Sequence, residues 1–159
     1  MKDSAKQLPL ILASVICAVS LVVMVLSLGQ PQAKFVPPPF EKHAVYGVPD
    51  VPEELDWRPI DATVFQASVC GRIIPSNQAA DIWLYNAADN TVWLKVRLMN
   101  EQGDILGETG ILKPGEYVQS ISLSSVPAAG TPVVMKLMAY EPETYHSEGA
   151  VNLKTQIFE

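Results

Sequence analysis

The chain has 159 residues, 48% of them apolar, and a formal net charge of −6. That length holds one ordinary domain with accessories. From Phe35 onward there are 8 basic against 16 acidic residues, and an acidic surface without a Lys/Arg stripe repels phosphate backbones, which argues against nucleic-acid partners.

The first element is an apolar run, LPLILASVICAVSLVVMVLSLG, at residues 8–29, with no charged side chain between Lys6 and Lys34. About 20 apolar residues cross a bilayer core as a helix. The run therefore predicts one transmembrane signal anchor, preceded by a cytoplasmic leader at residues 1–7, with the lipid bilayer as its partner. Pro9 falls in the first helical turn, where a missing N–H costs nothing. Lys2 and Lys6 make the leader basic, which keeps the N-terminus inside and sends the remainder out of the cytoplasm. The alternative is secretion after cleavage. Ser27-Leu28-Gly29 has the small-x-small form of a cleavage site, yet the run exceeds the roughly 7–15 apolar residues of a signal peptide. A lipoprotein reading fails because Ile16 precedes Cys17 where a small residue is needed.

Residues 30–61 read as a proline-rich stalk. They hold Pro31, Pro37, Pro38, Pro39, Pro49, Pro52 and Pro59, a density that blocks long helices and central strands. Pro37-Pro38-Pro39 predicts polyproline II, a semi-rigid spacer. Within DVPEELDWRPI a short helical turn is expected over 52–57, packing Leu55 and Trp57 onto the domain that follows.

From residue 62 the apolar spacing is two. In TVWLKVRLM, Val92, Leu94, Val96 and Leu98 alternate with Trp93, Lys95, Arg97 and Met99, so the first set faces a core and the second faces out. Further strands are expected at 62–70, 80–86, 105–106, 116–124, 131–141 and 149–158, with turn chemistry in AADN and NEQGD between them. Seven short strands within about a hundred residues predict a mostly β fold, a single Ig-like antiparallel sandwich over residues 62–159. In ILKPGEY, residues 111–117, proline sets φ for one corner position and Gly115 permits positive φ at the next, so a type II turn is expected rather than a phosphate-binding loop.

The segment NTVWLKVRLMNEQGDILGETGILKPGEYVQSISL resembles the middle of bacterial extracytoplasmic Ig-like or fibronectin-III-like modules. The shared pattern is an Asn-rich turn, an alternating strand, a Gly hairpin, an edge strand and a Leu-x-Pro-Gly-Glu corner. The resemblance covers roughly residues 80–140 and implies the fold. Such modules serve in adhesion, enzyme spacing and envelope assembly, so the task stays open.

Catalytic chemistry is thin. There is no Gly-x-Ser-x-Gly, and the only histidines are His43 and His146. Cys17 and Cys70 should sit in different solvents, which leaves no disulfide framework. Glu141, Glu143, His146 and Glu148 share one loop and could ligate a divalent ion, but their spacing matches no dedicated metal loop and fits a solvated one. No metal, catalytic residue or small-molecule cofactor is assigned. The candidate contact surface is aromatic: Trp83, Tyr85 and Trp93 would form one exposed patch if their strands pair, and Tyr145 with His146 marks a loop at an end of the sandwich. The opposing reading puts Trp83 and Tyr85 in the core, or under Trp57.

These features predict a non-catalytic binding or assembly module of the cell envelope, with a protein or cell-wall partner. One alternative is an accessory subunit of a secretion, pilus or transport complex, using small residues such as Ala13, Ala18 and Ser20 for helix contact. A metal-dependent or hydrolytic enzyme is the third reading.

Overall fold

The computed structural model describes residues 15–22, 24 and 35–159. The chain divides into two units, Met1–Val36 and Pro37–Glu159. In the first, residues 15–22 and 24 are helical, within the run read as a membrane span. Among the described residues no helix is long and apolar enough to cross a membrane. The leader, both ends of the expected span and the start of the stalk lie outside the described residues.

The second unit is mostly β. Its strands are β1 (Val45–Tyr46), β2 (Trp57–Asp61), β3 (Gln66–Cys70), β4 (Pro75–Ser76), β5 (Ala79–Asn86), β6 (Trp93–Asn100), β7 (Ile105–Glu108), β8 (Glu116–Ser122), β9 (Pro132–Tyr140) and β10 (Ser147–Gln156). All seven strands expected from the period of two are present. One sheet runs β1-β8-β5-β3-β2 with β4 beside β5, and the other runs β10-β9-β6-β7. The pairings are antiparallel.

Alternation explains the core. Ile82 and Leu84 of β5, Leu94, Val96 and Leu98 of β6, and Met135 and Leu137 of β9 are at most 1% exposed and belong to one cluster fed by both sheets. Burying each such side chain stabilises by roughly 1.5–3 kcal/mol before entropy is counted. Lys95 departs from its expected outward, solvated position. Its residue is 5% exposed, and its ammonium lies 2.8 Å from the Glu108 carboxylate of β7. The aliphatic stem lies along the sheet while the head is neutralised by a neighbouring strand.

The ILKPGEY corner forms as expected. Glu116 N–H donates to Lys113 O at 3.1 Å, Gly115 has φ +80, and Ile111 and Leu112 are fully buried. Leu112 exchanges both backbone bonds with Leu94 of β6, so the corner joins the second sheet to the start of β8 in the first. Gly115→Val should lower stability by about 1–3 kcal/mol, because a β-branched residue resists that φ. Its Cβ would also stand 2.6 Å from the Tyr46 ring. Thermal denaturation checks this, and an unchanged midpoint would remove the turn's assigned role.

The stalk reading needs correction from Pro37 onward, since that chain belongs to the second unit. Glu41 N–H donates to Ile111 O and Ile111 N–H donates to Pro39 O, both at 2.9 Å, while Gly47 N–H donates to Gly115 O at 2.9 Å. Val45 stands opposite Tyr117 of β8. Residues 39–47 thus strap the corner, contacting it on both sides. The physical reason is that residues 109–115 carry backbone groups that no neighbouring strand takes, and the strap satisfies them. Residues 57–61 also leave the stalk, as β2 pairs with β3. Pro59 is tolerated there because β2 is an edge strand. The expected helical turn is present as a 3₁₀ turn at Glu53–Leu55, with Leu55 7% exposed.

Candidate functional site

The proposed Trp83–Tyr85–Trp93 patch does not form as a unit. β5 and β6 lie in different sheets, so the three aromatics separate into two clusters.

The first cluster lies on the sheet containing β5. Trp83 stacks on Tyr117 with ring centroids 6.1 Å apart and planes at 20°, and Tyr85 stands opposite Tyr117 in register. The Trp57 indole N–H donates to Trp83 O at 2.8 Å. Trp83 sits at a bulge between Asp81 and Leu84 with φ +43, a strained setting for an aromatic residue. Its own Nε1–H is buried and finds no partner among the described residues. All four rings are half-buried, so this cluster mainly covers the sheet, with Trp57 supplying part of the cover.

The second cluster gathers chain from four places. Trp93 of β6 meets Phe40 of the strap edge-on, at 5.0 Å and 72°. On its other side it meets Tyr145 of the β9–β10 loop, at 5.4 Å and 67°. Edge-to-face pairs of this kind add about 0.5–1.5 kcal/mol each beyond area burial. The Lys113 ammonium, from the corner, lies 4.7 Å from the Phe40 ring centroid, a cation–π distance. Phe40 stays 41% exposed, while Trp93 and Tyr145 are half-buried. Tyr145 is presented by a tight loop. Glu141 N–H donates to His146 O at 2.8 Å, Tyr145 N–H to Glu141 O at 3.0 Å, and the Thr144 hydroxyl to the Glu141 carboxylate at 2.6 Å. His146 is exposed, with Nδ1 3.9 Å from that carboxylate.

The sequence identified Trp93, Tyr145 and His146 but not that Phe40 and Lys113 join them. Phe40 stands in a proline run and Lys113 in a turn, and the docking of the strap brings Phe40 against Trp93 and beside Lys113.

The remaining chemistry-bearing residues are dispersed. Cys70 is fully buried. Desolvation first, then the Asp81 and Asp56 charges, push its thiol up to about 12, which keeps it protonated and a poor nucleophile at neutral pH. The acidic β9–β10 loop does not converge on a point: among the described residues no three His, Cys, Asp or Glu side chains are grouped to hold a metal ion.

Glu108 is electrostatically the most engaged carboxylate. Burial alone pushes its pKa up, but hydrogen bonds and charge from Lys95 and Arg97 outweigh that and hold it below its ordinary value. Arg97 meets the same carboxylate at 2.8 Å. A folded-state pKa below the unfolded one gives stability that is present above the unfolded value, near 4.3, and is lost as pH falls through the folded value. Glu108→Gln should therefore be less stable than wild type at pH 7, with the gap narrowing by pH 3. Urea denaturation at the two pH values measures it, and a gap independent of pH would contradict the linkage.

No family model matches the chain, and no curated protein matches its sequence.

Proposed function

We propose that this protein is a single-pass, membrane-anchored module whose Ig-like sandwich acts outside the cytoplasm in binding or assembly at the cell envelope, without catalysis. The apolar run at residues 8–29 supplies the anchor. The strand order supports the Ig-like assignment: β3-β5-β8 in one sheet and β10-β9-β6-β7 in the other follow the A-B-E and G-F-C-C′ scheme of fibronectin-type sandwiches.

The observation that carries the binding reading is the Trp93–Phe40–Tyr145 cluster with Lys113 beside it. Partly exposed aromatic edges held rigid by one another, with a cation at the rim, offer apolar contact at low entropic cost to a protein or glycan surface. Full-length protein in mild detergent should co-sediment with isolated cell-wall material or cross-link to a defined membrane-fraction protein. The double variant Trp93→Ala/Tyr145→Ala should lose that retention while remaining folded by circular dichroism. Equal retention of both forms would sink the assignment of the site.

A further inference from the structure

The second sheet ends in β10, and β10 is the longest strand of the fold at ten residues. The other edges are blunted. β2 carries Pro59 in its middle, β7 has four residues, and β1 has two. Proline and shortness are the usual devices that prevent strand addition. Residues 149–154 contain no proline, and beside them lies a cleft of about 420 Å³ lined by Arg58 and Ile60 of β2 and by Leu153 and Lys154 of β10.

The hydrogen-bond parity of β10 follows from the sheet. Leu94 of β6 gives and accepts its backbone bonds with Leu112, away from β9. The alternate residues of β6, which include Trp93, Lys95 and Arg97, therefore bond to β9, at Tyr140, Met138 and Lys136. The intervening residues of β9 turn to β10, so Leu137 bonds Val151 and Met135 bonds Leu153. Ala150, Asn152 and Lys154 are left with N–H and C=O pointing off the edge. Their side chains are exposed, while Val151 and Leu153 are half-buried against the core.

We propose that this edge pairs with the β10 edge of a second copy of the chain, antiparallel about a two-fold axis at Val151. In that register Ala150 stands opposite Asn152 of the second copy, and each pair can exchange both backbone bonds. Glu148, the bulged residue where the ladder ends, comes within side-chain reach of Lys154 of the second copy, and Lys154 within reach of Glu148, so the only two charged residues of β10 find opposite charge twice. Val151 meets its own copy on the face toward the cleft. Pairing is bounded at both ends. The bulge between Ser147 and Gly149 breaks the ladder at one, and at the other Thr155 Oγ1 is bonded to Gly71 O at 2.7 Å. A closed, self-complementary pair results rather than open-ended addition. The surface is separate from the Trp93 cluster and does not depend on the binding role given to it.

The test is sedimentation equilibrium of the full chain in mild detergent. Wild type should form a dimer. Glu148→Lys alone and Lys154→Glu alone should each weaken it by about tenfold or more, since each sets two like-charge pairs within reach of one another. The double reversal Glu148→Lys/Lys154→Glu should restore the dimer. Asn152→Pro should abolish pairing yet keep the monomer's melting temperature, because its N–H serves only the free edge. A wild-type monomer at all accessible concentrations overturns the proposal. So does a dimer indifferent to both single reversals and to Asn152→Pro, or a failure of the double reversal to rescue.

Discussion

Asn86→Ala is expected to destabilise the domain by about 2–4 kcal/mol, the largest loss expected from a single polar side chain here. Asn86 closes β5 and is completely buried. Its amide donates to Val92 O at 3.1 Å and Leu112 O at 3.0 Å. Its side-chain oxygen accepts from Asn90 at 2.6 Å, and its backbone oxygen accepts from Gly115 N–H. One residue of the first sheet therefore holds the strand and corner segments of the second, together with the turn between β5 and β6. Truncation removes two hydrogen bonds to carbonyls, leaves a small void and takes one acceptor from Asn90, whose side-chain amide keeps its two bonds to Gln66. Leu112 O keeps its bond from Leu94, so most of the cost falls on Val92 O and the void. Asn86→Asp is the sharper variant. It keeps the shape but loses both donors and sets a carboxylate against two carbonyls, so it should be at least as damaging as alanine. Denaturant melts of both variants check this, and a near-native Asn86→Asp would show that packing, not hydrogen bonding, fixes the position.

The seven expected strands were legible because each buries one face, and a period of two survives in the residues themselves: Val92, Leu94, Val96 and Leu98 need no tertiary context. The corner was legible for a similar local reason, since a Pro-Gly pair dictates its own backbone. What the sequence did not disclose is non-local. Lys95 reads as a solvated outward residue until Glu108 of a neighbouring strand is placed beside it. β5 and β6 are consecutive and look like a hairpin, yet the chain crosses between sheets at AADN, so Trp83 and Trp93 part company. Local pattern determines which face a residue takes within a strand but not which sheet the strand joins. Prolines in residues 37–61 correctly forbade a regular helix. They said nothing of edge pairing, because an edge strand can omit an N–H, as β2 does at Pro59. The candidate site was half legible for the same reason: its two loop and strand aromatics carry visible signals, whereas Phe40 and Lys113 acquire their role only when the strap is closed.

Gly110→Ala should open that strap. A Cβ at Gly110 would stand within 2.6 Å of three backbone atoms of the strap, Glu41 N, Glu41 Cα and Phe40 C. Backbone atoms cannot rotate away as a side chain's end can, so the strap must shift. Shifting it breaks the Ile111–Pro39 and Glu41–Ile111 backbone bonds. It also breaks the bond from Gly110 N–H to the Glu41 carboxylate at 2.6 Å and withdraws Phe40 from Trp93 and Lys113. The expected cost is about 2–3 kcal/mol, summed from roughly 1 kcal/mol per net hydrogen bond and the aromatic contact. The main core cluster contains none of Pro39, Phe40 and Glu41, so the two sheets should survive. Trypsin should then cut after Lys42 much faster than in wild type, with Trp93 fluorescence shifted to the red and the far-ultraviolet β signal retained. Binding through the aromatic cluster should fall together with protection at Lys42, because Phe40 is both the strap's contact with Trp93 and one wall of the site. If proteolysis accelerates while binding is unchanged, the strap is structural only, and the contact surface reduces to Trp93 and Tyr145.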